Sequence, residues 1–408
     1  MKRPIEKPKF AQQFVLLMTI FIDATGYAMV IPLLSFYTVS FNLGAFGLGI
    51  LMNIFALNQF IFSPIMGRLS DKYGRRLLLL ISISLSSASF FMFTLATSYY
   101  ILLISRMFSG MATEISIAQA YMADITTNTR RTSGLGKVRA AFSAGVIVGP
   151  SISGFLSVYG YWAPGLIAVG LTLLNLIFVY FFLPEPERKI TFNQNINHTR
   201  KSSFLTNLKN SLKKPLLPSL LFVFFIMTLS FAAIPVLMPF LTFAFFDFNE
   251  IQLSFVFIYI GALQLIMQGF LIGKLSEKIG EGLLIIFGLL SVLIAMLIMP
   301  TIPSLVLFFI LVAMLSLGSG LVRTAIPSIV SKISSEEEQG GFLGVAQSVA
   351  SFALIPGPLF AGFFYDYFGL GAPFYFSAIL LLFAFLMSIN LYLKLRKNTN
   401  EESKIGFL

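Results

Sequence analysis

The chain has no cysteine, a single histidine and a single tryptophan, and only 11% of its 408 residues are charged. Without cysteine there is no disulfide framework, no thiolate zinc site and no cysteine nucleophile. The one histidine, His198, lies in the polar stretch TFNQNINHTRKSS, which leaves neither a histidine metal site nor a Ser/His/Asp triad. No phosphate loop of the form GxxxxGK(S/T) occurs, so ATP-driven work by this chain is excluded. No metal, no cofactor and no enzymatic activity are expected. What fills the chain instead is apolar: 57% hydrophobic residues, 46 of them Phe, and a mean hydropathy of +0.88. Soluble domains carry roughly a quarter charged residues. A chain this apolar has lipid as its main solvent, which makes it a polytopic membrane protein.

Twelve runs reach the roughly 20 apolar residues needed to cross a hydrocarbon core. They lie at 11–37, 44–66, 77–96, 99–121, 139–160, 162–183, 216–240, 250–272, 283–301, 304–326, 341–363 and 372–395. The basic N-terminus MKRPIEKPKF leads straight into the first run, which is expected to do the targeting itself. All but one of the 28 Lys and Arg residues fall at the two termini, after spans 2 and 4, in 184–215, or at the pairs Lys274/Lys278 and Arg323/Lys332, which are assigned to the remaining loops of that side. The exception is Arg106, inside span 4, and the opposite loops hold only Asp247, Glu250 and Asp366. The positive-inside rule places both termini in the cytoplasm. The net charge of +11 is therefore topological, and no nucleic-acid partner is expected. Asn197-His198-Thr199 matches a glycosylation acceptor but faces the cytoplasm on this topology. The one long polar interval divides the chain into an N-terminal six-helix half (1–183), a cytoplasmic linker (184–215) and a C-terminal six-helix half (216–408).

The halves repeat each other. NQFIFSPIMGRLSDKYG at 58–74 parallels QLIMQGFLIGKLSEKIG at 264–280, and LGKVRAAFSAGVIVGPSISG at 135–154 parallels LGVAQSVASFALIPGPLFAG at 343–362. Ile31-Pro32 and Ile234-Pro235 begin a similar correspondence between spans 1 and 7. Two homologous halves in parallel orientation enclose one central cavity, as in secondary transporters.

The segment GRLSDKYGRR at 67–76 resembles the loop 2–3 motif of the major facilitator superfamily, G-x-L-x-D-(R/K)-x-G-R-(R/K), at every defining position. YMADIT (121–126), GVIVGPSISG (145–154) and LPEP (183–186) resemble the twelve-helix drug:proton antiporters, with tetracycline and multidrug exporters the nearest kind. Gly136, Gly145, Gly149, Pro150 and Gly154 match that group's antiporter motif, with Ser153 where a glycine is usual. The resemblance implies an all-α membrane fold of twelve helices in two pseudo-symmetric halves. It also implies a cytoplasmic latch in which Asp71 holds the outward-open state and Arg75 bridges to Asp124. Independently, Gly67 and Gly74 permit a tight turn and close helix approach, and Asp71 suits a helix N-terminus. In the second half Glu281 and Lys332 stand where Arg75 and Asp124 stand in the first, so the same latch is expected with its charges exchanged.

Asp23, Arg106 and Glu114 lie within spans, where ionisable groups are costly and mark pathways. At about 1.5 Å of rise per residue, Asp23 sits about 18 Å and Arg106 about 22 Å above the cytoplasmic ends of their spans. The shared depth suggests that they meet, either as a permanent ion pair or as a coupling pair in which proton and substrate compete for one cavity. Arg106 and Gly110 also resemble the family's span 4 motif, whose arginine is tied to proton transfer. Glu114, two turns nearer the cytoplasm, is a second proton site, a recognition site for cationic compounds, or a solvated vestibule residue. Tetracycline exporters carry an acid in span 9, whereas spans 7 to 10 here carry none, which concentrates coupling in the N-terminal half.

For the substrate cavity, Asn58 and Gln264 correspond under the repeat, Gln119, Gln268 and Gln347 add polar points, and the Phe residues of span 7 (Phe222, Phe224, Phe225, Phe231) offer an adaptable wall. A mostly apolar cavity with few polar groups suits amphipathic compounds. The expected protein is a monomeric, proton-coupled exporter of small amphipathic compounds in a bacterial cytoplasmic membrane. Its partners are a small-molecule substrate, protons and the lipid bilayer. A dedicated exporter of one metabolite (a siderophore or a sugar) and a transporter-like lipid flippase or sensor are the alternatives.

Overall fold

A computed structural model describes residues 10–126, 128–186, 213–214, 216–301, 303–334 and 336–405. Most of the expected linker, including His198 and the Asn197 acceptor sequence, lies outside them, as do the basic residues of the N-terminus and the side chains of Arg130 and Arg131. Among the described residues every regular element is helical. In chain order these are α1 (Phe10–Ser40), α2 (Ala45–Tyr73), α3 (Arg75–Thr94), α4 (Tyr99–Met111), α5 (Glu114–Ile125), α6 (Asn128–Leu156), α7 (Trp162–Phe182), α8 (Leu217–Ala232), α9 (Ile234–Phe246) and α10 (Glu250–Ile266). After a π turn at Met267–Leu271 come α11 (Ile272–Ile279), α12 (Glu281–Ile298), α13 (Leu305–Lys332), α14 (Glu336–Ala353), α15 (Pro356–Phe368) and α16 (Ala372–Ile405).

Among the described residues eleven helical stretches are long and apolar enough to cross a membrane, and α10 is a shorter apolar helix that, with the π turn and α11, occupies the place of the eighth expected span. Several crossings are two helices rather than the one that hydropathy suggests. Span 7 breaks at Ala233, just before Pro235, and span 11 breaks before Pro356, where proline cannot donate to the preceding turn. Span 4 breaks at Ala112–Thr113 without any proline, as described below.

The chain forms two compact units, residues 1–195 with 248–258 and residues 196–247 with 259–408. Each unit packs in the same order. In the first, α1 lies on α6 and α7, and α3 on α4 and α7. In the second, α8 lies on α14 and α16, and α12 on α13 and α16. In a membrane the apolar surface gains nothing from leaving lipid, so such pairs are held by close backbone approach at small residues. Gly149 and Gly357 illustrate this. A Cβ at Gly149 would stand 2.6 Å from the Thr25 carbonyl oxygen and 2.7 Å from the Ala28 Cβ. One at Gly357 would meet the Leu229 carbonyl oxygen at 2.8 Å and the Ala232 Cβ at 2.7 Å.

Candidate functional site

The 67–76 segment is not a loop but the end of one helix and the start of the next. α2 continues to Tyr73, Gly74 turns the chain at φ +109°, and α3 begins at Arg75. Arg75 is a nearly buried hub. Its Nη2 pairs with Asp71 Oδ1 at 2.6 Å and its Nε with Asp124 Oδ2 at 2.8 Å, while Nη1 donates to Ser70 Oγ at 2.6 Å. The structure therefore brings Arg75 and Asp124 together, but Asp71 is not a helix N-cap. It lies in the last turn of α2, 65% exposed, as an i,i+4 partner of Arg75. The cap of α3 comes from elsewhere. Glu185 of the LPEP segment accepts the backbone N–H groups of Arg75 and Arg76, at 2.6 and 2.9 Å. A carboxylate suits the unpaired donors and positive dipole end of a helix. Tyr121 donates to the Pro184 carbonyl at 2.5 Å and Arg76 to that of Tyr180, which ties the end of span 6 to the same corner. Gly74 is needed twice over, for its positive φ and because a Cβ there would stand 3.0 Å from both Glu185 oxygens. A Cβ at Gly67, by contrast, would meet nothing within 4 Å. Gly67 makes no close approach and serves instead through its carbonyl, which accepts from Ser70.

In the second unit Glu281, in the first turn of α12, pairs with Lys332 in the last turn of α13, and Ser328 donates to the same Glu281 oxygen at 3.0 Å. The charge-exchanged counterpart is thus in contact, with Lys332 64% exposed.

Between α4 and α5 the helix is broken at Ala112–Thr113 because Ser82 on α3 accepts the Thr113 N–H at 2.7 Å, drawing it out of the helical ladder. Glu114 therefore opens a new half-helix instead of continuing the face of Arg106, and it is 2% exposed. Ser86, one turn along α3 from Ser82, donates to Glu114 Oε1 at 2.8 Å and lies 3.4 Å from Asp23 Oδ1. Asp23 is half-buried. The ion pair expected between Asp23 and Arg106 is not formed: Asp23 shares Ser86 with Glu114 instead. Arg106 is 1% exposed, with Nε and Nη2 buried and unpartnered among the described residues. It lies within electrostatic reach of Tyr27, whose ring stacks on Phe55 at 4.9 Å. Two carboxyl groups on one hydroxyl can hold and pass protons.

α6 packs on α1 through Gly145 and Gly149. A Cβ at Gly145 would meet the Phe21 carbonyl oxygen at 2.5 Å and the Ala24 Cβ at 2.7 Å, so α6 lies directly on the α1 turn that carries Asp23. A Cβ at Gly154 would stand 2.8 Å from the Ser254 Cβ, and Pro150 lies inside α6. Gly136 has open space around it, so only three of the four motif glycines pack. Just beyond α6, Tyr161 donates to Glu250 Oε1 at 2.7 Å, and burial, with that bond, raises the phenol's pKa.

The residues expected to line a cavity divide. Asn58 spends its amide on the Ile54 carbonyl at 2.8 Å and abuts Gly110, whose Cβ position is filled by the Phe55 carbonyl and Asn58, so it is a packing residue. Gln119 is half-buried, Gln264 has a buried Nε2 without a partner among the described residues, and Gln268 is exposed on the π turn. Of the span 7 phenylalanines, Phe224 is buried and Phe222 exposed. Arg323 corrects the charge map: it is not in a loop but inside α13, exposed, with its guanidinium over the Phe231 ring at 5.6 Å. Glu185, Ser86 and Arg323 make contacts that the sequence did not single out. Only Glu185 had a visible signal, its place in LPEP.

The family model of the Major Facilitator Superfamily matches residues 16–306 and 220–407. The chain belongs to the major facilitator superfamily. It is similar to "Multidrug resistance protein 2" of Bacillus subtilis (strain 168), 26% identical over 408 residues that cover all of both chains. It is similar also to "Tetracycline resistance protein, class D" of Salmonella ordonez, 29% identical over 351 residues, 85% of this chain and 87% of the relative. Among solved structures, a bacterial homolog of the human lysosomal transporter Spinster, in an inward-facing and unoccupied conformation, superposes with a TM-score of 0.78. It is 17% identical and covers 95% of this chain and 98% of its own. This member of the superfamily is a multi-pass membrane transporter, and its relatives include multidrug and tetracycline resistance proteins.

Proposed function

We propose that this transporter exports small amphipathic compounds in exchange for protons, by alternating access between its halves 1–183 and 216–408, which the 184–215 linker joins. The observation that carries the proposal is the half-buried Asp23 sharing one hydroxyl with the buried Glu114, in a unit that also buries Arg106 with two nitrogens unpartnered among the described residues. Such charge inside a membrane span is expensive and marks an ion or substrate pathway. The names of the relatives, multidrug and tetracycline resistance proteins, favour export and amphipathic substrates. Arg75–Asp124 and Glu281–Lys332 act as cytoplasmic latches on the two halves, and Gln264, Gln268 and Gln119 serve the substrate cavity. The protein works as a monomer in a bacterial cytoplasmic membrane with both termini inside.

The test is efflux of dyes and drugs from cells expressing wild type or Asp23→Asn at equal levels, with and without a protonophore. Efflux lost both in the variant and in uncoupled cells is the expected result. Efflux that survives Asp23→Asn removes Asp23 from coupling, and wild-type cells that export nothing in the panel refute the exporter reading.

A further inference from the structure

Ser86 is buried on α3 and has one proton to give. Glu114 Oε1, at 2.8 Å, is close enough to hold it, and Asp23 Oδ1, at 3.4 Å, is beyond the usual range of an O–H···O bond. With its proton committed to Glu114, the hydroxyl offers Asp23 only lone pairs. The Asp23 contact can then tighten only when Asp23 arrives carrying its own proton. The two ends also differ in access, since Asp23 is half-buried while Glu114 is sealed at the start of a half-helix whose break Ser82 maintains. The other titratable or charged groups inside the spans of α1 and α4 near this depth are Tyr27 and Arg106, which act on each other rather than on either acid. α3 contributes only serines here, α2 has no charged residue before Arg68, α6 has none beyond Arg139, and α7 has none.

We infer that Ser86 relays a proton between Asp23 and Glu114, a role that rests on the proton-coupled reading above. In the step, protonated Asp23 gives its proton to Ser86 Oγ as the Ser86 hydroxyl proton passes to the Glu114 carboxylate. One O–H bond breaks and one forms at the serine, which ends neutral. Asp23 is left as the carboxylate and Glu114 as the acid, with no other reactant. The less buried acid is thereby returned to its carboxylate form while the proton waits on the sealed Glu114.

The experiment uses the full chain in everted membrane vesicles, with a fluorescent cationic dye as probe, and compares wild type, Ser86→Ala and Ser86→Thr. Two rates are read: dye uptake driven by a pH gradient, which requires net proton transfer, and dye-for-dye exchange without a gradient, which does not. Gradient-driven uptake by Ser86→Ala is expected to fall by about a hundredfold, the lower edge of what a positioned proton-transfer group contributes. Exchange is expected to stay near the wild-type rate, and Ser86→Thr, which keeps the hydroxyl, to restore uptake. Equal loss of both rates in Ser86→Ala, failure of threonine to rescue, or an alanine variant that keeps wild-type uptake would each overturn the relay. Wild-type vesicles that exchange dye but show no gradient-driven uptake would instead overturn proton coupling itself, and the relay with it.

Discussion

Glu185 offers the sharpest quantitative test of the cytoplasmic corner. Its two carboxylate oxygens each take one backbone N–H at the start of α3, and among the described residues no side chain of α3 or of the preceding turn provides another cap. Losing an N-terminal cap costs about 1 kcal/mol, and the lost negative charge at the positive helix end adds roughly 0.3–1 kcal/mol. Because Glu185 is exposed, water can replace part of what alanine removes, so the sum belongs at about 1–1.5 kcal/mol. The midpoint of thermal unfolding of the purified protein in detergent should then drop by roughly 2–5 °C for Glu185→Ala, if a six-helix half unfolds as one unit. Glu185→Gln is the discriminating variant. Its amide keeps one acceptor oxygen but turns an NH2 toward the second backbone N–H, donor against donor. It should be about as destabilised as alanine although it is nearly isosteric with glutamate. A glutamine variant as stable as wild type would refute the two-bond cap.

The Glu281–Lys332 pair, with Lys332 mostly exposed, is worth at most about 1 kcal/mol to stability, so its role should be read in transport rate instead. Glu281→Lys alone should slow transport and Lys332→Glu added to it should restore the rate; absence of mutual rescue removes the pair as a latch. Gly149→Val would drive new methyl groups into the Thr25 carbonyl and the α1 backbone, a cost of about 1–3 kcal/mol or more that should appear as a lowered unfolding midpoint. Gly136→Ala, in open space within the same motif, should shift the midpoint by no more than roughly 0.5 kcal/mol equivalent, and equal damage from both would refute the packing account.

Element type and order were legible in the sequence because each crossing needs about 20 apolar residues in a row, a signal that survives any detail of packing. The repeat was legible for the same reason that it matters: Gly149 and Gly357, paired by offset alone, make the same contact with the first helix of their own units. What failed was direction around the helix. Asp23 and Arg106 were matched by depth, which is one coordinate of three, and the structure turns Asp23 toward Ser86 and Glu114 instead. The break at Ala112–Thr113 had no local cause to read, since its cause is an acceptor 31 residues away on α3. Glu185 was visible as part of LPEP, but its capping role was not, since it lies 110 residues from the amide it caps.

Set side by side, the two units separate what holds the fold from what works in it. The helix pairs and the packing glycines recur in both, but Asp23, Arg106 and Glu114 have no charged counterparts, and Arg323 inside α13 matches none of them. Ile226 stands where the span 1 correspondence would place an acid like Asp23. Val312 or Met314 stands where either of the repeat's two offsets would place the counterpart of Arg106, and Gly320 or Val322 where they would place that of Glu114. Each of those residues is apolar or small and costs nothing in lipid. A fold that can be built without the charges, by the same chain, has no structural need of them in the first unit either. Their retention there, two acids on one serine and a cation buried without a partner among the described residues, is what supports the proposed coupling role.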